Sequence, residues 1–158
     1  MKKILLWTMG VVLGLWFVLY VSLPGPDEMR HLGTLTVPQV PGLRVVLEQD
    51  QEFEQSNGVY YRMIDSADRT LYGPFVLFGF MDWIEGTSDF QVTSYDGVVV
   101  ITFNSPQAVV ALYDVRAHSG YPGWSADTTE TLEAEYRRRD ELLCRVQACN
   151  PRLRWQSR

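Results

Sequence analysis

Phe90-Gln91-Val92-Thr93-Ser94-Tyr95-Asp96-Gly97-Val98-Val99-Val100-Ile101-Thr102-Phe103 reads as two strands joined by a two-residue turn. An Asp-Gly pair supplies the two positive φ angles of a type I′ turn, whose twist matches that of antiparallel strands. Val98 to Ile101 is apolar at every position, as expected for a central strand covered on both faces. A sheet with material on each side is therefore the starting expectation.

Working outward, the segments on the N-terminal side are also strand-like. Leu43–Glu48 is short, apolar and rich in β-branched residues. Val59–Asp65 and Thr70–Phe78 flank Ser66-Ala67-Asp68-Arg69, a turn-rich break that suits a hairpin. On the C-terminal side, Ser105-Pro106 admits two readings. It could open a helix, with proline at the first position, or make a turn before a returning strand over Ala108–Val115. Paired valines and short length favour the strand. Residues 127–148 read as a helix, with Asp127 and Glu130 at the N-cap and N3 positions. Leu132, Tyr136, Leu143 and Val146 form its apolar stripe, and Glu133–Arg137, Glu135–Arg139 and Glu141–Arg145 form i,i+4 pairs on its wet side. Pro151 ends it, and Leu153–Trp155 offers a last edge strand. The expected fold is α+β, a mainly antiparallel β-sheet packed by one C-terminal α-helix over residues 43–158.

Ahead of this domain, Ile4 to Leu23 is an uncharged run directly after Lys2 and Lys3. Twenty residues at 1.5 Å rise span roughly 30 Å, the thickness of a bilayer's hydrocarbon core. Twelve of the 20 are Leu, Ile, Val or Phe, each worth roughly −0.3 to −0.6 kcal/mol near mid-membrane, so insertion is favourable. A cleaved signal peptide is the alternative, but its apolar core usually runs only about 7–15 residues and ends at small residues. Tyr20-Val21-Ser22-Leu23-Pro24 does not supply that end. The positive flank predicts residues 1–3 in the cytoplasm, a transmembrane helix at 4–23, and the remainder outside, a bacterial inner membrane being the best match. Gly10 and Gly14 form a G-x-x-x-G pair that could bring two such helices together as a homodimer. Residues 24–42, with four prolines and three glycines, read as an extended spacer containing a short strand at Thr34–Val37.

Chemical signals are sparse. No G-x-S-x-G, H-E-x-x-H, Walker or dinucleotide fingerprint occurs, so no catalytic residue and no cofactor is assigned. Two Cys and two His lack zinc-type spacing, so no metal is expected either. Cys144 and Cys149 would bridge in an oxidising compartment only if the helix opened around Ala148, since five residues of helix hold their Cα atoms too far apart. Asp114, Arg116 and His118 alternate along one stretch and would share a face if that stretch were a strand, which is the basis for a small hydrolase. Trp83, Tyr121 and Trp124 sit in turn-rich segments suited to a protein partner or a glycan.

Charge is uneven. From Ile4 to Tyr136 there are 17 acidic and 5 basic residues, whereas from Arg137 onward there are 7 basic and 2 acidic. Arg137 and Arg138 lead a basic stripe that could meet an anionic partner. Nucleic acid is not an expected ligand for an acidic domain placed outside the cytoplasm. The sequence thus predicts a single-pass, membrane-anchored domain that binds a partner in the cell envelope and carries out no chemistry, with the hydrolase and the glycan module as alternatives.

Overall fold

The computed structural model describes residues 29–50, 58–78, 84–122 and 132–156. Nine strands and a helix follow in the order β1 (Met29–Thr36), β2 (Arg44–Asp50), β3 (Val59–Ile64), β4 (Thr70–Phe78), β5 (Phe90–Tyr95), β6 (Val98–Phe103), β7 (Ala108–Asp114), β8 (Ser119–Tyr121), α1 (Leu132–Cys149) and β9 (Arg154–Trp155). The α+β expectation holds: mainly antiparallel sheets packed with one C-terminal helix. Among the described residues no helix is long and apolar enough to cross a membrane, and Ile4–Leu23 with Gly10 and Gly14 lies outside them.

There are two sheets where the sequence suggested one. β1-β2-β3-β4 is an antiparallel meander, and β5-β6-β7-β8 is another, with β9 added parallel to β7. Face to face, the sheets enclose a core containing Val45, Leu47, Tyr61 and Met63 from one side and Val99, Ile101 and Tyr113 from the other. Helix α1 covers the outer face of the second sheet, where Val98, Val100, Val109 and Leu112 meet Leu142, Val146 and Leu153. Each fully buried aliphatic side chain contributes about 1.5–3 kcal/mol relative to an exposed one. The layers are therefore sheet, sheet and helix, and β6 is buried at all six positions because it is the middle of the stack.

Local chemistry explains the connections. Asp96 and Gly97 have φ of 46° and 73°, the turn predicted for the central hairpin, and Tyr95 pairs directly with Val98. Ala108–Asp114 is a strand, with Ser105 and Pro106 in the turn before it. Ile101 pairs with Ala111 but Thr102 with Val109, so Val110 is an extra residue in β7. This bulge puts the neighbouring Val110 and Ala111 on the inter-sheet side and returns Val109 and Leu112 to the helix side.

Three expectations need correction. The first strand is longer than Thr34–Val37 and runs Met29–Thr36, so part of the presumed spacer belongs to the sheet, where Met29 pairs with Asp50 and Thr36 with Arg44. The helix buries only the C-terminal half of the expected stripe: Val146 is buried and Leu143 packs against the core, but Leu132 and Tyr136 are exposed, and Glu135 and Leu142 are buried in addition. Of its ion pairs only Glu133–Arg137 forms, at 3.7 Å, because Arg139 turns to Asp140 and Arg145 reaches across to the sheet. The proposed N-cap residues Asp127 and Glu130 lie outside the described residues.

Candidate functional site

The hydrolase arrangement is the first to be tested by geometry. β7 ends at Asp114, and residues 115–118 form a turn, so the alternation that would align Asp114, Arg116 and His118 stops at once. Asp114 Oδ1 accepts hydrogen bonds from the backbone N–H groups of Arg116, at 2.8 Å, and Ala117, at 3.1 Å. Its Oδ2 is held by the Arg145 guanidinium from α1, and Arg145 also donates to the Asp96 carbonyl at 3.0 Å. Arg116 is exposed. His118, at φ 50°, places Nδ1 3.1 Å from the hydroxyl of Tyr113, a residue of the inter-sheet core. The carboxylate thus faces the helix side of the sheet and the imidazole associates with the other side. The three groups do not converge, and Asp114 acts as a structural clamp between β7, its turn and α1.

Burial alone would raise the Asp114 carboxyl, but the Arg145 hydrogen bond and the two backbone N–H groups outweigh it and hold its pKa below the usual aspartate value. A depressed folded-state pKa contributes stability that is complete above the unfolded value of about 3.9 and disappears as pH falls through the folded value. Asp114→Asn is expected to lower the unfolding midpoint at pH 7 and to flatten the decline in stability below about pH 4. Urea midpoints measured from pH 7 to pH 2 check this; parallel curves for the two proteins would contradict it.

His118 also lines an open groove of about 200 Å³. Val40, Pro41, Leu43, Leu71 and Val115 give it apolar walls, with Tyr113, Asp65, Ser66 and His118 supplying polar atoms. These come from the 37–43 turn, the β3–β4 turn and the end of β7, which meet at the end of the sandwich opposite Met29. Asp65 is committed to its own turn: Oδ1 accepts from Ala67 N at 2.8 Å and Arg69 N at 2.9 Å, and Oδ2 pairs with Arg69. The Arg69 backbone hydrogen bond, followed by its side chain and the Ala67 N–H, keeps the Asp65 carboxyl below its ordinary value against a smaller opposing effect of burial. Two side chains of the groove keep an uncommitted polar face toward solvent, Ser66 and His118, the latter tied to Tyr113 through Nδ1. Sequence reading singled out His118 but not Tyr113, which lay inside a predicted strand as one more aromatic residue.

The remaining predicted site residues are distributed elsewhere. Tyr121 packs edge-on against Trp155, with ring centroids 5.0 Å apart, and the Arg139 guanidinium lies 5.1–5.8 Å from the rings of Tyr136, Trp155 and Tyr121. That cluster staples β8 and β9 to α1. Arg137 is exposed beside Glu133, while Arg138 is half-buried, its charge close to the Tyr72 hydroxyl. Arg139 and Arg145 are engaged with rings and carboxylates, and Arg154 donates to the Leu153 carbonyl, whereas Arg137, Arg152 and Arg154 remain exposed. Trp83 and Trp124 lie outside the described residues. Cys144 and Cys149 are both free and exposed, and the Asn150 N–H still bonds to the Val146 carbonyl. The helix therefore does not open around Ala148, and the Cys144–Cys149 bridge is not made. Among the described residues no group of three or more His, Cys, Asp or Glu is placed to hold a metal ion. No protein-family model, curated protein or solved structure matches this chain.

Proposed function

We propose that this chain is a single-pass, membrane-tethered domain held outside the cytoplasm, where it binds a protein partner of the cell envelope without catalysing a reaction. The observation that carries the reading is the Ile4–Leu23 run after Lys2 and Lys3, of the length and polarity that a bilayer accepts and with the flank that orients it. Further support comes from the site itself: Asp114 is occupied by Arg145 and two backbone N–H groups, so it does not orient the His118 imidazole. The groove lies at the end of the sandwich opposite Met29, the described residue nearest in sequence to the proposed tether, and it is open to a partner.

Cys144 and Cys149 make the topology measurable, since both thiols are exposed. After mild reduction, a membrane-impermeant maleimide should label the protein from the outside of intact cells, and sodium carbonate at alkaline pH should leave it in the membrane pellet. Labelling that requires lysis, or release by carbonate, would overturn the proposal.

A further inference from the structure

The groove beside His118 has a size and a polarity that select among ligands. About 200 Å³ is somewhat more than the roughly 150 Å³ of an apolar protein cavity that accepts benzene. It therefore fits a single six-membered ring with a small substituent, and its walls of Val40, Leu43, Leu71 and Val115 suit the body of that ring. Polar atoms come from Asp65, Ser66, Tyr113 and His118; Asp65 and Tyr113 are engaged within the fold, which leaves the Ser66 hydroxyl and the His118 imidazole to meet a ligand. The His118 Nδ1 is engaged by the Tyr113 hydroxyl, which leaves Nε2 as the ring atom available to a ligand. If Tyr113 donates to Nδ1, then Nε2 carries a proton and needs an acceptor; if Nδ1 donates, Nε2 needs a donor. A hydroxyl group satisfies either tautomer.

We infer that this groove receives the hydroxyphenyl ring of a tyrosine displayed by a partner protein, with His118 Nε2 bonded to the tyrosine hydroxyl. The assignment rests on the proposed role as an envelope binding domain and names the chemistry of what is bound. An attached side chain is favoured over a free small molecule because the groove is open to solvent rather than enclosed. Small-molecule sites usually enclose about 70–90% of their ligand, whereas a side chain entering an open slot keeps its backbone outside. Leu71, 38% exposed on the rim, is one of the few large apolar side chains that the described surface leaves uncovered.

The test uses the full chain in phospholipid nanodiscs with ¹³Cε1-labelled histidine. The chain has two histidines, and His31 lies in β1, away from the groove, so it serves as an internal control. Titration with 4-methylphenol should shift the His118 signal saturably, with a Kd on the order of 1 mM, and leave His31 in place. N-acetyl-tyrosinamide should act similarly, and toluene should bind roughly fivefold more weakly for want of the hydroxyl. Leu71→Glu should abolish the shift while the His31 signal reports an intact fold. His118→Asn, chosen because Asn tolerates the φ of 50°, should cancel the preference for 4-methylphenol over toluene in saturation-transfer spectra. No saturable shift, a joint shift of both histidines, equal binding of toluene, or binding of 4-methylphenol without N-acetyl-tyrosinamide would each overturn the assignment. Failure of the chain to enter nanodiscs at all would count instead against the tether.

Discussion

Tyr61→Ala is expected to destabilise the domain by about 3–5 kcal/mol, the usual range for removing a large buried aromatic side chain. Tyr61 is 1% exposed and stands where three parts of the molecule meet. Its ring lies 6.3 Å from those of both Tyr72 and Phe75. Its hydroxyl donates to the Pro122 carbonyl at 2.8 Å, fastening the end of β8 to the first sheet. Burial, first of all, together with Tyr72 and Glu135 nearby, raises the hydroxyl's pKa well above that of a free tyrosine, so it is a donor at neutral pH. Tyr61→Phe removes only that donor and should cost about 1 kcal/mol, somewhat more if the Pro122 carbonyl is left dry. Urea unfolding of both variants separates ring from hydroxyl. Equal losses would show that the hydrogen bond, and not packing, dominates at this position. Against a total stability of roughly 5–15 kcal/mol for a domain, the alanine variant should be partly unfolded at 37 °C.

The second large effect is expected at Gly120, in the middle of β8. On chain entropy alone, Gly→Ala should stabilise a compatible position by about 0.4–1 kcal/mol. Here a Cβ would stand 2.2 Å from the Leu112 carbonyl oxygen and 3.0 Å from Tyr113 Cα. Both are backbone atoms of the paired strand, so no flexible side chain can move aside. Steric cost wins, and Gly120→Ala should destabilise by about 2–3 kcal/mol net. β8 pairs with Leu112, Tyr113 and Asp114 over three residues only, so displacement should loosen all of it. Amide hydrogen exchange across β7 and β8 should accelerate locally and leave the β1–β4 sheet unchanged. A variant with unaltered exchange at β8 would show that the strand can accommodate the methyl group.

Much of the secondary structure was legible because local signals agreed with the final environment. β4, β5 and β6 have the boundaries expected from turn chemistry and β-branched content, since Asp96-Gly97 and the Ser66–Arg69 break leave few alternatives. The number of sheets was not legible. Val98 to Ile101 demands cover on both faces, but nothing local says whether that cover is a helix or a second sheet. β8 escaped notice because Ser119-Gly120-Tyr121 has little strand character and pairs only through long-range contact with β7. The helix was legible, and so was the core-facing side of its C-terminal half at Leu143 and Val146, but not that of its N-terminal half. Its packing side carries Glu135 and Arg139, charged residues accommodated by Tyr72, Tyr121 and Trp155, while Leu132 and Tyr136 face water. Hydrophobicity is a poor guide where long side chains can lie along aromatic rings.

The candidate site was legible only in part, for the same reason. Asp114, Arg116 and His118 are two residues apart, and whether they align depends on β7 continuing past Asp114. The Arg116 and Ala117 N–H groups bending back onto the Asp114 carboxylate decide that it does not. His118 then finds Tyr113, a partner on the strand's opposite face, and joins a groove built from turns more than 40 residues earlier in the chain. No spacing rule relates Leu43 to His118; only the stacking of two sheets does.

The order in which β7 acquires its neighbours has a consequence for biogenesis. One of its edges is completed by β8 and then, after an 18-residue helix, by the two residues of β9. A polypeptide made from its amino end delivers these pieces last. Until Leu153 and Trp155 arrive, Val98, Val100, Val109 and Leu112 form a wet, greasy plane beside a bare strand. The growing chain is thus sticky from the completion of β7 until residue 153 is in place, and a holdase bound over that interval, or truncation anywhere before residue 153, would decide between a finished fold and aggregate.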